Sequence, residues 1–360
     1  MTRYIIRRLL QAIPLLLIIS AVIFYLINAM GDPLASFGGR RRIRPQDRER
    51  LTRQLGLDQP VIFNSAKFKD FDLIGAVTRT QYFVWLAGND WMKIDMDGDG
   101  VGEMPGTRRG VLRGDFGKSL KKNRSALTII RERIPNTLIL MLTTEVVVWI
   151  LALAIGIYSA LRQYSTVDNV VTAFSFIGFS MPVFWLALIL MQIFAVNFKK
   201  WGLPYFPTGG THDLAEGKSI LQLAWHMVLP VTTMAVISVA GYSRFVRSQM
   251  LEVISEDYIR TARAKGLPQR MVLLGHALKN AALPLVTIEG MALPALVGGA
   301  VVTETIFAWP GMGLLYIEAA SDTDIPVLMG ILIIISVLVI VFQIITDITY
   351  TFLDPRIRYD

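Results

Sequence analysis

Residues 252–284 read EVISEDYIRTARAKGLPQRMVLLGHALKNAALP, the longest charged, helix-patterned segment in the C-terminal half, with apolar stretches on both sides. A cationic segment between two membrane spans belongs on the cytoplasmic side, because Lys and Arg are biased towards inside loops. Ile254, Tyr258 and Ala262 are spaced by four and predict one face of a helix. Gly266 then supplies a stop, and Pro268 suits the first turn of a second helix. A helix–Gly–helix elbow presented to the cytoplasm is built to dock something.

Working outward, the composition demands a membrane protein. Of 360 residues, 53% are hydrophobic and only 18% charged, with a mean hydropathy of +0.49, too apolar for a soluble domain. The net charge of +8 would suit nucleic acid, but the basic residues cluster beside apolar spans, where membrane topology explains them. The absence of Cys excludes disulfides, thiolate metal sites and Cys nucleophiles, and three scattered His leave little for a metal cluster.

Six spans are expected: Leu9–Met30, Thr137–Ala160, Val167–Val196, His226–Tyr242, Leu283–Ile306 and Ile325–Thr351. Most reach the roughly 17–25 residues that cross a bilayer, with His226–Tyr242 at the short end. The first is longer than the apolar core of a signal peptide, about 7–15 residues, and lacks a small-residue cleavage site, so it reads as a retained helix. Arg3, Arg7 and Arg8 before it, and Arg356 and Arg358 at the other end, place both termini in the cytoplasm. The expected fold is an all-α polytopic membrane protein. It comprises a first helix (1–30), a small extracytoplasmic subdomain (31–134), a five-helix core (135–353) carrying the loop 252–282, and a cytoplasmic tail (354–360). Only the long first loop, with its GGRRRIRPQDRER run at Gly38–Arg50, goes against the charge bias, and long loops largely escape that rule.

Catalytic motifs are missing: neither H-E-x-x-H nor G-x-S-x-G occurs. Gly-Lys-Ser appears at Gly117–Ser119 and Gly217–Ser219, but the leading Gly of a P-loop is replaced by Leu112 and His212. Any ATP must therefore bind a separate subunit. Asp95, Asp97 and Asp99 followed by Gly100 match the front of a calcium-binding loop, with Glu103 at its ninth position and Gly106 where the closing Glu belongs. Two readings stay open: a calcium ion that stiffens the subdomain, or an acidic Asp/Gly turn in solvent.

Ionisable residues within spans are functional candidates, since burying a charge in lipid is costly. Glu145 and Glu289 lie deep in theirs and are candidates for a translocation path. Glu304 and Asp347 lie near span ends and read instead as packed against a hydroxyl or reaching an interface.

The elbow resembles the cytoplasmic EAA loop of ABC-importer permeases. Gly266 matches that loop's Gly, whereas Arg260-Thr261-Ala262 stands where Glu-Ala-Ala is usual. ARAKGLPQRMVLLGHALKNAALP is similar to the dipeptide/oligopeptide (peptide/nickel) branch. So are RRLLQAIPLLL, LGLDQPV (Leu55–Val61), GDFGKSL (Gly114–Leu120), RIPNTL (Arg133–Leu138), MPVFWLALIL (Met181–Leu190), TETIFAWPGMGLL (Thr303–Leu315) and DPRIR (Asp354–Arg358). Only about Ile62–Arg113 is longer than such permeases usually have.

This resemblance implies half of a heterodimeric pore in a bacterial or archaeal inner membrane. A second, homologous permease completes it, two ABC ATPase subunits drive it, and an extracytoplasmic binding protein delivers cargo. Docking on the ATPases would run through Tyr258, Ile259, Arg260, Thr261, Ala262, Arg263, Ala264, Lys265, Gly266 and Leu267. Membrane lipid is the rival partner for those cations. Trp309, Pro310 and Gly311 would form a tight turn at the outer face, near an external gate; an interfacial Trp anchor is the alternative. Peptides are the implied cargo, with oligosaccharides and nickel chelates as alternatives. The chain itself would be no enzyme, with no catalytic cofactor and no nucleic-acid partner. A membrane enzyme lacks a catalytic set here, and a self-sufficient transporter would not need the elbow.

Overall fold

The computed structural model describes residues 2–29, 44–54, 57–69, 72–94, 104–119, 121–213, 215–282, 285, 288 and 300–353. Nearly all regular structure among them is helical, and the chain divides into two compact units, residues 2–133 with 315–337, and residues 134–314 with 338–360.

The first unit contains α1 (Thr2–Ala29), the short helices α2 (Pro45–Gln54), α3 (Ser65–Lys69), α4 (Leu73–Thr78) and α5 (Gln81–Ala87), and the start of the last helix. Capping explains the short helices: Asp72 accepts from Gly75 N at 2.8 Å to start α4, and Thr80 accepts from Phe83 N at 3.2 Å to start α5. A two-residue antiparallel ladder pairs β1 (Lys93–Ile94) with β2 (Met104–Pro105). The core is Phe24, Ile27, Trp85, Met329 and Ile333. The first helix is thus no separate element: its inner face is part of the subdomain's core, and Ser20 Oγ lies 2.7 Å from the Tyr82 hydroxyl.

The second unit holds most of α6 (Ala126–Leu161), together with α7 (Thr166–Ser180), α8 (Val183–Lys200), α9 (Ile220–Ile254), α10 (Asp257–Ala264), α11 (269–281), α12 (Val301–Ile306) and the first turn of α13 (Met312–Ser321). The final helix, α14 (Ile325–Leu353), is shared between the units.

Five described helices are long and apolar enough to cross a membrane: α1 from Ile6, α6, α8, α9 and α14. Their apolar side chains stay largely uncovered. In α6 only 28% of the most apolar window is buried, an arrangement suited to lipid or partner helices and not to water. The sixth expected span, Leu283–Ile306, lies mostly outside the described residues, with only its end seen as α12.

Three expected spans are corrected. Val167–Val196 is two helices, because Pro182 pushes Met181 into extended backbone (ψ 125) and then heads α8. His226–Tyr242 is not short but the middle of the 35-residue α9, which Ser219 caps by accepting from Gln222 N at 3.1 Å. Thr137–Ala160 is likewise the inner part of the 36-residue α6. In both, polar ends extend the helix beyond the apolar window.

The two Gly-Lys-Ser triplets serve the fold. Gly117 and Gly217 take positive φ (85 and 73). Ser119 Oγ donates to the Asp324 carboxylate, and Ser219 is the α9 cap.

Candidate functional site: the cationic elbow and its supports

The elbow begins where α9 ends. Ser255 Oγ donates to Glu252 O at 2.7 Å, and Glu256 turns extended (ψ 146) before α10 starts. This break overturns the expected Ile254–Tyr258–Ala262 face, because Ile254 is the last residue of a different helix. The inner face of α10 is instead Ile259 and Ala262, three apart, 0% and 7% exposed. They pack in one core with Val246 and Met250 of α9 and Val272, Ala277 and Ala281 of α11. Two of the expected docking residues are therefore anchors.

Tyr258, Arg260, Thr261, Arg263, Ala264, Lys265 and Gly266 are exposed, and Leu267 is half-buried. Arg260 pairs with Asp257 at 3.3 Å, but both are so exposed that the pair contributes little. Among the described residues Arg263 and Lys265 form no ion pair, so the outward face carries uncompensated positive charge. Gly266 takes φ +73, with nothing within 4 Å of where a Cβ would stand. Its requirement is backbone shape, not space. Pro268 then heads α11, and Asn280 Nδ2 donates to the Tyr258 hydroxyl at 2.9 Å, tying the second helix to the first.

Behind the elbow lies a contact that sequence reading missed. Arg247 of α9 grips Asp168 of α7 in a two-pronged ion pair, Nε–Oδ1 2.7 Å and Nη2–Oδ2 2.8 Å. Asp168 is 2% exposed and also accepts from Ser159 Oγ and, at 2.9 Å, from Tyr164 N. A buried carboxylate is tolerable only with such a full set of partners. The available signal was Ser165-Thr166-Val167-Asp168, which has the spacing of a helix N-terminal capping pair, realised as Ser165 Oγ accepting from Asp168 N at 3.2 Å.

A second hub surrounds Glu304, expected near a span end to pack against a hydroxyl or reach an interface; the hydroxyl is that of Thr137. It is 0% exposed. Oε1 accepts from Thr137 Oγ1 at 2.8 Å, and Oε2 accepts from the backbone N–H of Gly313 at 2.7 Å and Leu314 at 3.1 Å. A carboxylate thus caps the start of α13 from nine residues upstream. The intervening turn closes on itself, with Trp309 N donating to Glu304 O at 2.8 Å. Trp309 Nε1 donates to Asn136 O at 3.0 Å, and Asn136 Nδ2 returns a bond to Pro310 O at 2.8 Å. The Trp309-Pro310-Gly311 corner is a turn, as expected, but Trp309 is 0% exposed and packs with Leu140, Met227 and Val231. Its indole is core, so it does not act as an interfacial anchor.

Glu145 is half-buried on α6. Glu289 and the acidic residues Asp95, Asp97, Asp99 and Glu103 lie outside the described residues. So does the closing DPRIR block.

Comparison with known proteins bears on what this scaffold is for. The family described as "Binding-protein-dependent transport system inner membrane component" matches residues 152–359, and the corresponding N-terminal family matches residues 1–83. The chain is 38% identical over 361 residues to the oligopeptide transport system permease protein AppB of Bacillus subtilis, covering 100% of both chains. It is 34% identical to a putative peptide permease of Brucella suis biovar 1, covering 99% of each. To the di/tripeptide transport system permease protein DppB of Pseudomonas aeruginosa it is 32% identical, covering 100% of this chain and 99% of that one. The inward-facing MetNI methionine ABC transporter aligns over 63% of this chain and 97% of that chain at 18% identity, with a TM-score of 0.48, too partial to bear on detail. The chain therefore belongs to the inner-membrane components of binding-protein-dependent transport systems: a multi-pass ABC permease subunit and no enzyme, with ATP hydrolysis in separate subunits.

Proposed function

We propose that this chain is one half of a peptide-importing pore, completed by a second, homologous permease and driven by two ATPases that dock on α10. The carrying observation is the division of labour within α10. Ile259 and Ala262 root it in the core, while Arg263 and Lys265 are exposed and form no ion pair among the described residues. A short helix fixed on one side transmits displacement as a lever, and its exposed cations suit acidic or carbonyl groups on a partner groove. The positive-inside bias supports a cytoplasmic elbow and cytoplasmic termini, with the 31–134 segment outside. Peptide cargo is supported by the names of the full-length relatives.

The test is charge reversal where nothing structural is at stake. Arg263→Glu with Lys265→Glu, co-expressed with the cognate permease and ATPases, should lose ATPase co-purification and binding-protein-stimulated ATP hydrolysis, while thermal stability stays unchanged. Intact coupling in that variant would overturn the docking assignment. In proteoliposomes of the wild type, stimulation by an oligosaccharide or nickel chelate in place of peptide would overturn the cargo assignment.

A further inference from the structure

The first unit contains a cavity of about 490 Å³ that the transport reading does not use. Its size falls in the usual range for small-molecule sites, roughly 300–1,000 Å³. Phe24 near the end of α1, Trp85, Phe116 and Met329 near the start of α14 supply apolar walls. Phe24 and Trp85 are each 7% exposed and Met329 is 1% exposed, so these walls belong to a packed core.

Into this apolar space the chain sets a cation. Arg108 lines the cavity, and among the described residues no carboxylate comes within ion-pairing distance of it. Its backbone is fixed, with Arg108 N donating to Asn89 Oδ1 at 3.0 Å and Arg108 O accepting from Asn89 N at 2.9 Å. Surrounding protein strips water from the guanidinium, lowering its pKa from the ordinary value, with Asp115 opposing. Asp115, the acidic residue of the lining, is already committed: Oδ2 accepts from Arg109 N and Oδ1 from Gly117 N, both at 3.0 Å. Lys118, also in the lining, adds a second cation that forms no ion pair among the described residues. Trp85 Nε1, sealed in the wall, likewise has no acceptor among the described residues. A half-buried guanidinium whose nearby carboxylate, Asp115, is held off by its own backbone hydrogen bonds keeps unspent donors, and an apolar-walled site holding one is complementary to an anion on a hydrophobic body.

We infer that this cavity binds an amphipathic organic anion, with its carboxylate or phosphate on Arg108 and its apolar part against Trp85 and Met329. Flanked by the ends of two spanning helices, the site is open to two sources, an acyl chain from the membrane or a hydrophobic peptide carboxylate in transit.

The full chain in neutral-lipid nanodiscs is titrated by calorimetry with dodecanoate, with tri-leucine, and with dodecanol and tri-leucine amide as uncharged counterparts. Saturable binding of at least one carboxylate is expected, weakened by roughly tenfold or more in its uncharged counterpart and in Arg108→Gln. Met329→Trp should abolish it by filling the cavity. Dodecanoate alone binding assigns the site to lipid-derived anions, and tri-leucine alone assigns it to peptides. Binding of neither carboxylate, equal binding of the uncharged compounds, or full binding by both variants overturns the inference. Among the described residues the Arg108 side chain makes no hydrogen bond whose loss would unfold the unit. Lys118→Gln, at an exposed side chain, provides a second charge variant with a smaller expected loss.

Discussion

Glu304 offers the sharpest test of the second unit's architecture. Its carboxylate accepts from Thr137 Oγ1, Gly313 N and Leu314 N while wholly buried. A hydrogen bond to a charged acceptor contributes about 1.5–3 kcal/mol, and a buried donor left unmet costs about 1–3 kcal/mol. Glu304→Gln keeps the shape but turns one end into a donor. If its carbonyl takes the two backbone N–H groups, its amide faces Thr137 Oγ1, which already accepts from Met312 N at 2.7 Å; the hydroxyl must then accept instead of donate and its own proton goes unmet, at about 1–3 kcal/mol. Glu304→Ala loses these three and leaves a void, so at least about 3 kcal/mol is expected. Gly311→Ala provides an independent approach, since a Cβ there would stand 2.5 Å from the Glu304 carboxylate carbon and must displace it. Apparent unfolding midpoints in detergent, followed by Trp fluorescence or size exclusion, should fall in the order wild type, Gln, Ala, with Gly311→Ala below wild type. Replacing a buried charge by a neutral isostere is sometimes stabilising, so the sign is decisive. A Gln variant as stable as wild type would refute the hub.

Other consequences follow from the same geometry. Arg247→Met, which strands the buried Asp168 carboxylate, should destabilise by about 3–5 kcal/mol, Asp168→Asn, which leaves the partly exposed Arg247 unmatched, by less, and the double variant by less than the sum; a thermal-shift double-mutant cycle reads the coupling. Gly156→Ala places a Cβ 2.5 Å from Val246 Cβ and 2.7 Å from Ser243 O, forcing α6 and α9 apart at about 1–3 kcal/mol, read as a lowered unfolding midpoint. Gly266→Ala meets open space but the left-handed φ of +73, so it should cost only about 1–2 kcal/mol of local stability, seen as faster hydrogen exchange in α10 with the global midpoint unchanged. The exposed Asp90 carboxyl is held below its ordinary pKa chiefly by hydrogen bonds from Arg113. A carboxylate with a depressed folded pKa contributes above its unfolded value and loses that contribution as pH falls. The 81–94 segment should therefore keep its hydrogen-exchange protection down to about pH 4 and lose it only below.

Apolar run length alone determined that the chain crosses a membrane, because roughly 20 consecutive apolar residues have no other stable use. The elbow was legible for a related reason: Gly266 and Pro268 act on their own backbone, so their effect needs no neighbour. Where the sequence misled, a distant partner decided. Period-four spacing selected Ile254, Tyr258 and Ala262 as one face. The break at Ser255–Glu256 and the core offered by Val272, Ala277 and Ala281 made Ile259 and Ala262 the buried pair instead. Trp309 looked like a surface turn until Asn136, from a helix far away in sequence, took up its indole N–H. Glu304 read as packed against a hydroxyl or reaching an interface, which left the hydroxyl unnamed, and nothing in the sequence singled out Asp168. Their partners are Thr137 and Arg247, remote in the chain, and no local pattern encodes which hydroxyl or guanidinium will meet a buried carboxylate. Periodicity and backbone chemistry are written locally, whereas the matching of buried charges is a property of the folded chain.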